Sequence, residues 1–163
     1  MDTKRDGKEL TGATLAIYWS AIGLGLTIPW TVHLVKEMYV RPQEAARVFK
    51  IFRVLLFAPG YNLFLQGILS AIPFVVFAVF TLVHLGTGMN LGRVIAYRRL
   101  AGVIGAGLTV LGLSLWAHIG LAIHPDAQGA LVFFFLPFYA LILMPFGYGV
   151  GRLLGKWLVK QAV

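Results

Sequence analysis

The stretch YNLFLQGILSAIPFVVFAVFTLVHL, residues 61–85, decides the fold, because it holds no Asp, Glu, Lys or Arg. A helix of about 20 mostly apolar residues is long enough to cross the hydrocarbon core of a bilayer. Residues 61–85 therefore predict a spanning helix. Three further apolar runs occupy 10–35, 100–123 and 130–154, the first two also free of charge and the last with Arg152 near its end. The expected fold class is all-α: one membrane domain over 1–163 with four spanning helices.

Composition agrees with that reading. Of 163 residues, 59% are hydrophobic and only 12% are charged, where soluble domains carry about a quarter. The mean hydropathy is +0.83. So little charge cannot cover a globule, and lipid is the expected solvent for much of the surface. The formal charge is +8. Its cations sit at the ends of apolar runs, where they orient a chain and meet anionic headgroups. No basic stripe is free of an apolar neighbour, so nucleic acid is not an expected partner. There is no Cys, which excludes disulfides, thiolate metal sites and Cys nucleophiles. The first run lacks a small-residue cleavage pattern and reads as a retained span.

Between the first two runs lies a segment of different character. Pro42 with Gln43 and Glu44 predicts a helix start, proline in the first turn and acid at the positive dipole end. At 100° per residue, Val48, Phe49, Ile51, Phe52, Leu55 and Leu56 share one arc, and Arg47, Lys50 and Arg53 take the opposite one. That pattern predicts an amphipathic helix over 42–58, lying in the headgroup plane or docked on a partner through Phe49, Phe52 and Leu56. Pro59-Gly60 is expected to end it.

Cation placement predicts orientation. Lys4, Arg5, Lys8, Arg93, Arg98, Arg99, Arg152, Lys156 and Lys160 fall on one side of a four-span chain, and the five cations of 36–53 on the other. The positive-inside rule then puts both termini in the cytoplasm, and a bacterial inner membrane is the expected location. In the alternative topology, 54–66 would dip into the bilayer as a re-entrant hairpin and the N-terminus would lie outside.

The chemistry-bearing residues are few. Metalloprotease, P-loop, nucleophile-elbow and EF-hand motifs are absent. The six acids, Asp2, Asp6, Glu9, Glu37, Glu44 and Asp126, all lie outside the spans, which argues against proton-coupled transport. No catalytic or metal site is expected. Of the four His, His33, His118 and His124 gather toward the outer side with Asn62, Gln66 and Asp126, while His84 lies near the opposite end. Imidazoles at that depth could bind haem iron, chlorophyll magnesium or a quinone, and His118 and His33 are the candidates. The plainer reading is interfacial histidine beside Trp30 and Trp116. Ser114 shares a helical face with His118, so that face should meet another helix, with Asn62 and Gln66 the nearest polar candidates.

Glycines give a stronger pattern. Gly102, Gly105, Gly107 and Gly112 run through the third span, and Gly147, Gly151 and Gly155 follow at turn spacing in the fourth. Small residues let helices approach closely and serve as packing surfaces, within the chain or between chains. The function expected from these features is a non-catalytic subunit, or self-assembling component, of a larger membrane complex. The alternatives are a redox or pigment-binding subunit and a homo-oligomeric channel.

Overall fold

The computed structural model describes residues 3–40, 43–59, 62–86, 93–124 and 129–161. They form five helices: α1 (Thr3–Val35), α2 (Ala45–Leu55), α3 (Leu63–Gly86), α4 (Arg93–Ile123) and α5 (Gly129–Gln161). A π-helical turn, Lys36–Val40, extends α1. Four segments, Thr11–Tyr39, Leu63–Gly86, Val94–Ile123 and Leu131–Leu158, are long and apolar enough to cross a membrane. Helices α1, α4 and α5 run beyond the apolar stretches into polar sequence. Once nucleated, a helix gains one backbone hydrogen bond per added residue, so hydropathy ends before the helix does.

The long helices pair as antiparallel hairpins, α1 with α3 and α4 with α5, and α3 joins the two pairs. Aromatic rings of α3 fit notches left by glycine on either side. A Cβ at Gly25 of α1 would stand 2.8 Å from Phe74, and one at Gly107 of α4 would stand 2.7 Å from the ring tip of Phe77. At the far end of α3, Trp30 of α1 donates its indole N–H to the Leu63 carbonyl at 2.9 Å. Gly67 faces the same indole. The core between the pairs is apolar, built on Phe74, Phe77, Ala78, Val103, Ala106, Val110 and Ala140.

Contact between α4 and α5 is closer still, backbone against backbone. A Cβ at Gly105 would strike the Gly147 carbonyl and the Gly151 Cα, one at Gly151 would strike the Ala101 carbonyl, and one at Gly155 would stand 2.6 Å from the Ala101 Cβ. Gly102 makes room for the Tyr148 ring. Six of the seven glycines singled out in the sequence thus face another helix. Gly112 does not, since nothing lies within 4 Å of its position. Seven residues return a helix to nearly the same face, so Gly112 points the way Gly105 does. By that level Leu136, Ala140 and Met144 form the buried face of α5, and the helices no longer touch at glycine.

The short helix covers Ala45–Leu55 rather than 42–58. Its last bonded turn closes with Leu56 N–H on the Phe52 carbonyl at 3.0 Å, and Phe64 N–H reaches back to the Leu56 carbonyl at 3.1 Å. Pro42, Gly60, Tyr61 and Asp126 lie outside the described residues. Residues 63–66 are the first turn of α3, and Asn62 Oδ1 caps it by accepting the Leu65 N–H at 2.9 Å. The turn on which the re-entrant alternative depends, at Gly60 and Tyr61, lies outside the described residues.

Gly105→Leu or Gly151→Leu should lower the unfolding midpoint in detergent by the equivalent of about 1–3 kcal/mol or more, because no side chain fits there. Gly149→Leu meets open space and gains helix propensity. It should leave the midpoint unchanged or slightly raised.

Candidate functional site

Polar side chains in the core of the bundle gather around His118. That ring is 4% exposed, and Ser70 and Ser114 beside it are 1% and 0% exposed. His118 Nδ1 lies 2.7 Å from the Ser114 carbonyl oxygen. A carbonyl only accepts, so Nδ1 carries the proton and donates it. In the neutral ring Nε2 is then the acceptor, and the Ser70 hydroxyl donates to it at 3.0 Å. The Ser114 hydroxyl is more distant from Nδ1, at 3.5 Å. Phe133 of α5 closes the cluster, its ring centroid 4.5 Å from that of His118. Three helices meet on this one imidazole.

Ser70, not Asn62 or Gln66, is therefore the cross-helix partner. Asn62 serves as the cap of α3, and Ser70 lies one turn beyond Gln66 on the same face. Serine in an apolar helix can bond its own preceding carbonyl, so its presence in the sequence does not announce a partner elsewhere. The Nε2 lone pair that would hold a haem iron is taken by the Ser70 proton. Ligation at His118 would require that hydroxyl to turn away.

Beyond this cluster, where α4 and α5 stand apart, a groove of about 810 Å³ opens between them. Leu113, Trp116, Ala117 and Gly120 wall it on one side, Leu131, Phe135 and Tyr139 on the other, and His124 also lines it. Trp116 is 72% exposed. The walls are almost wholly apolar, with the Tyr139 hydroxyl, the Trp116 indole N–H and His124 as the polar groups.

The remaining candidates are dispersed. His33 lies near the end of α1 against Phe52 of α2, ring centroids 6.4 Å apart, and its Nε2 is buried with no hydrogen-bond partner. Close to it in sequence, Gln43 donates to Glu37 Oε2 at 3.1 Å, while its own Oε1 is buried and unpaired. His33 and His118 belong to different sites and share no contact. At the opposite end of the bundle, His84 Nε2 and the Tyr148 hydroxyl are 2.6 Å apart, and Phe80 stacks on His84 at an interplanar angle of 10°. On α2, Val48 is buried and Phe52 packs against Trp30 and His33, whereas Arg47, Phe49, Lys50 and Arg53 are exposed. Leu56 is half-buried just past the helix end. Among the described residues no group of three or more His, Cys, Asp or Glu could hold a metal.

Ser70→Ala removes the one hydrogen bond that Nε2 receives among the described residues and leaves a buried acceptor unpaired, so it should cost about 1–3 kcal/mol in thermal unfolding. Ser114→Ala should cost less, because Nδ1 donates to the backbone carbonyl, which the substitution keeps. Equal losses from the two changes would refute this assignment of donor and acceptor.

Comparisons with protein-family models, with curated proteins and with solved structures find no match to this chain.

Proposed function

We propose that the chain is an integral membrane protein that serves as a non-catalytic subunit, or self-assembling component, of a larger membrane complex. Its four long helices turn large apolar side chains outward, among them Leu108, Phe134, Phe146 and Trp157, each more than 60% exposed. Such a surface needs lipid or protein as its solvent. The cation distribution favours cytoplasmic termini in a bacterial plasma membrane. Helix α2, with Val48 and Phe52 turned to α1 and its cations outward, suits the headgroup plane or a docking surface.

The observation that carries the subunit reading is the groove beside α5. Only 17% of the apolar stretch of α5 is buried within the chain, against 44% for α3. Lipid can cover a smooth helix face. An open groove walled by Trp116, Phe135 and Tyr139 suits the ridge of another helix, since close-packed interfaces leave few voids larger than a water molecule. The absence of any catalytic constellation in the sequence agrees.

A second reading, pigment or quinone binding, is favoured by one observation: the buried, unpartnered Nε2 of His33. Buried polar atoms are seldom left unpaired, and a haem, chlorophyll or quinone would satisfy it. A pore built from several copies is disfavoured, because the outward faces of the long helices are apolar.

The chain has no Cys, so one introduced thiol reports one position. Gly120→Cys in the groove should crosslink to a co-purifying protein, or to a second copy, in mild detergent. Ile104→Cys, exposed elsewhere on α4, should not. A monomer that carries no partner and gives no crosslink from the groove would overturn the subunit reading. A visible absorption band lost in His33→Ala would favour the second. Replacing Arg47, Lys50 and Arg53 by Glu should weaken attachment of α2 to an anionic surface, by about 1 kcal/mol per charge. Partitioning of the triple variant into anionic vesicles checks this.

A further inference from the structure

At the end of the bundle where α1 begins and α5 ends, cations of α4 and α5 gather on helices that carry no acid of their own. The antiparallel register shows how. Gly102 of α4 receives the Tyr148 ring of α5. One turn further toward this end, α4 presents Arg98 and α5 presents Arg152, with Lys156 a turn beyond in the same row. A Cβ at Gly155 would lie 3.6 Å from the Arg98 Cα, so the two rows run side by side. Arg99 stands next to Arg98 and donates to the His84 carbonyl at 3.3 Å, close to the C-terminus of α3. Arg99 and Arg152 both lie near enough to His84 to act on it electrostatically.

The helices that carry these cations supply no counterion of their own; the acids Asp6 and Glu9 belong to α1, which begins at the same end. No Asp or Glu occurs anywhere between Glu44 and Asp126, or after Asp126, so α3, α4 and α5 bring no carboxylate to it. The Nε of Arg98 is buried and has no hydrogen-bond partner. Cationic side chains brought to one end by a glycine-tight helix pair repel one another unless an anion lies near them. Arginine suits phosphate geometrically, through paired N–H donors. Leu153, Leu154, Trp157 and Leu158 of α5, with Val94 and Ile95 of α4, are exposed apolar side chains flanking the cations. A free phosphate would have no use for them, whereas acyl chains would.

We propose that Arg98, Arg99 and Arg152, with Lys156 at the rim, bind the phosphate of an anionic phospholipid, its acyl chains lying along the apolar flanks of α4 and α5. The site is separate from the groove and from the His118 cluster, at the other end of the same helix pair. It rests on the reading of the chain as a membrane protein. Failure of that reading would show separately, as failure to enter any lipid disc.

The test uses the full chain in nanodiscs of phosphatidylcholine, alone or mixed with phosphatidylglycerol. Unfolding midpoints are measured, and retained lipid is counted by native mass spectrometry. Phosphatidylglycerol should raise the midpoint and remain bound. Arg98→Gln with Arg152→Gln should abolish the increment and weaken retention by about tenfold or more, the order expected for two cations at an anionic headgroup. In phosphatidylcholine alone the double variant should melt no lower than the parent, because removing like charges removes repulsion. Replacing Lys4, Arg5 and Lys8 by Gln takes charge from the same end and should leave the increment intact. Arg99 is left unchanged because it bonds the end of α3. If the double variant does not fold, Arg152→Gln alone, at an exposed side chain, should lose most of the increment.

Three results would each overturn the proposal. The first is an increment that survives in the arginine variants. The second is an equal loss in the N-terminal variant, which would mean diffuse surface charge. The third is equal stabilisation by inorganic phosphate in phosphatidylcholine discs, which would mean a free-anion site.

Discussion

Close approach of α4 and α5 governs much of this structure. Where glycines at 105, 147, 151 and 155 remove the side chains, the two backbones come into direct contact. Dispersion attraction is short-ranged, so contact of this kind is worth most where no side chain intervenes. It also fixes register, because bulk at any of these positions meets backbone that cannot yield. Everything flanking the helix pair inherits that register. At one end Tyr148 is set against Gly102 and brought to His84. At the other the helices part, leaving a groove.

Helix α3 does different work. It has the most buried of the long apolar stretches, and it reaches both hairpins through paired devices. Phe74 and Phe77 fill glycine notches on α1 and α4. Ser70 and His84 make the polar bonds, to His118 of α4 and Tyr148 of α5. Aromatic rings in notches supply shape, while hydrogen bonds in an apolar interior supply direction, since a buried polar group left unpaired is costly. The polar bonds flank the two rings along one helix, and together they define how the hairpins meet.

The same geometry separates the candidate functional places. The His118 cluster is internally satisfied, which makes it a structural pin. The groove beside it is open and apolar. The arginine cluster at the far end is charged, on helices that carry no carboxylate of their own. The last two follow from the spacing between α4 and α5: tight at the glycines near the arginine end, wider where Trp116 and Phe135 line a groove.

Sequence alone determined the four long helices, because a run of apolar residues with no charge has few other ways to satisfy its backbone. It also marked the glycine faces and the amphipathic character of α2. The stops of α1, α4 and α5 were not legible, since helices continue where hydropathy does not. Only tertiary structure decided which glycines touch. Gly105 and Gly112 share a face by spacing, yet only Gly105 meets a backbone, because the residue opposite is what counts. Tertiary structure also chose Ser70 for His118, made Asn62 a helix cap, and left Nε2 of His33 unpaired. Pairing depends on which turns stand at the same depth. Depth is set by how two helices slide against each other, a quantity no local pattern encodes.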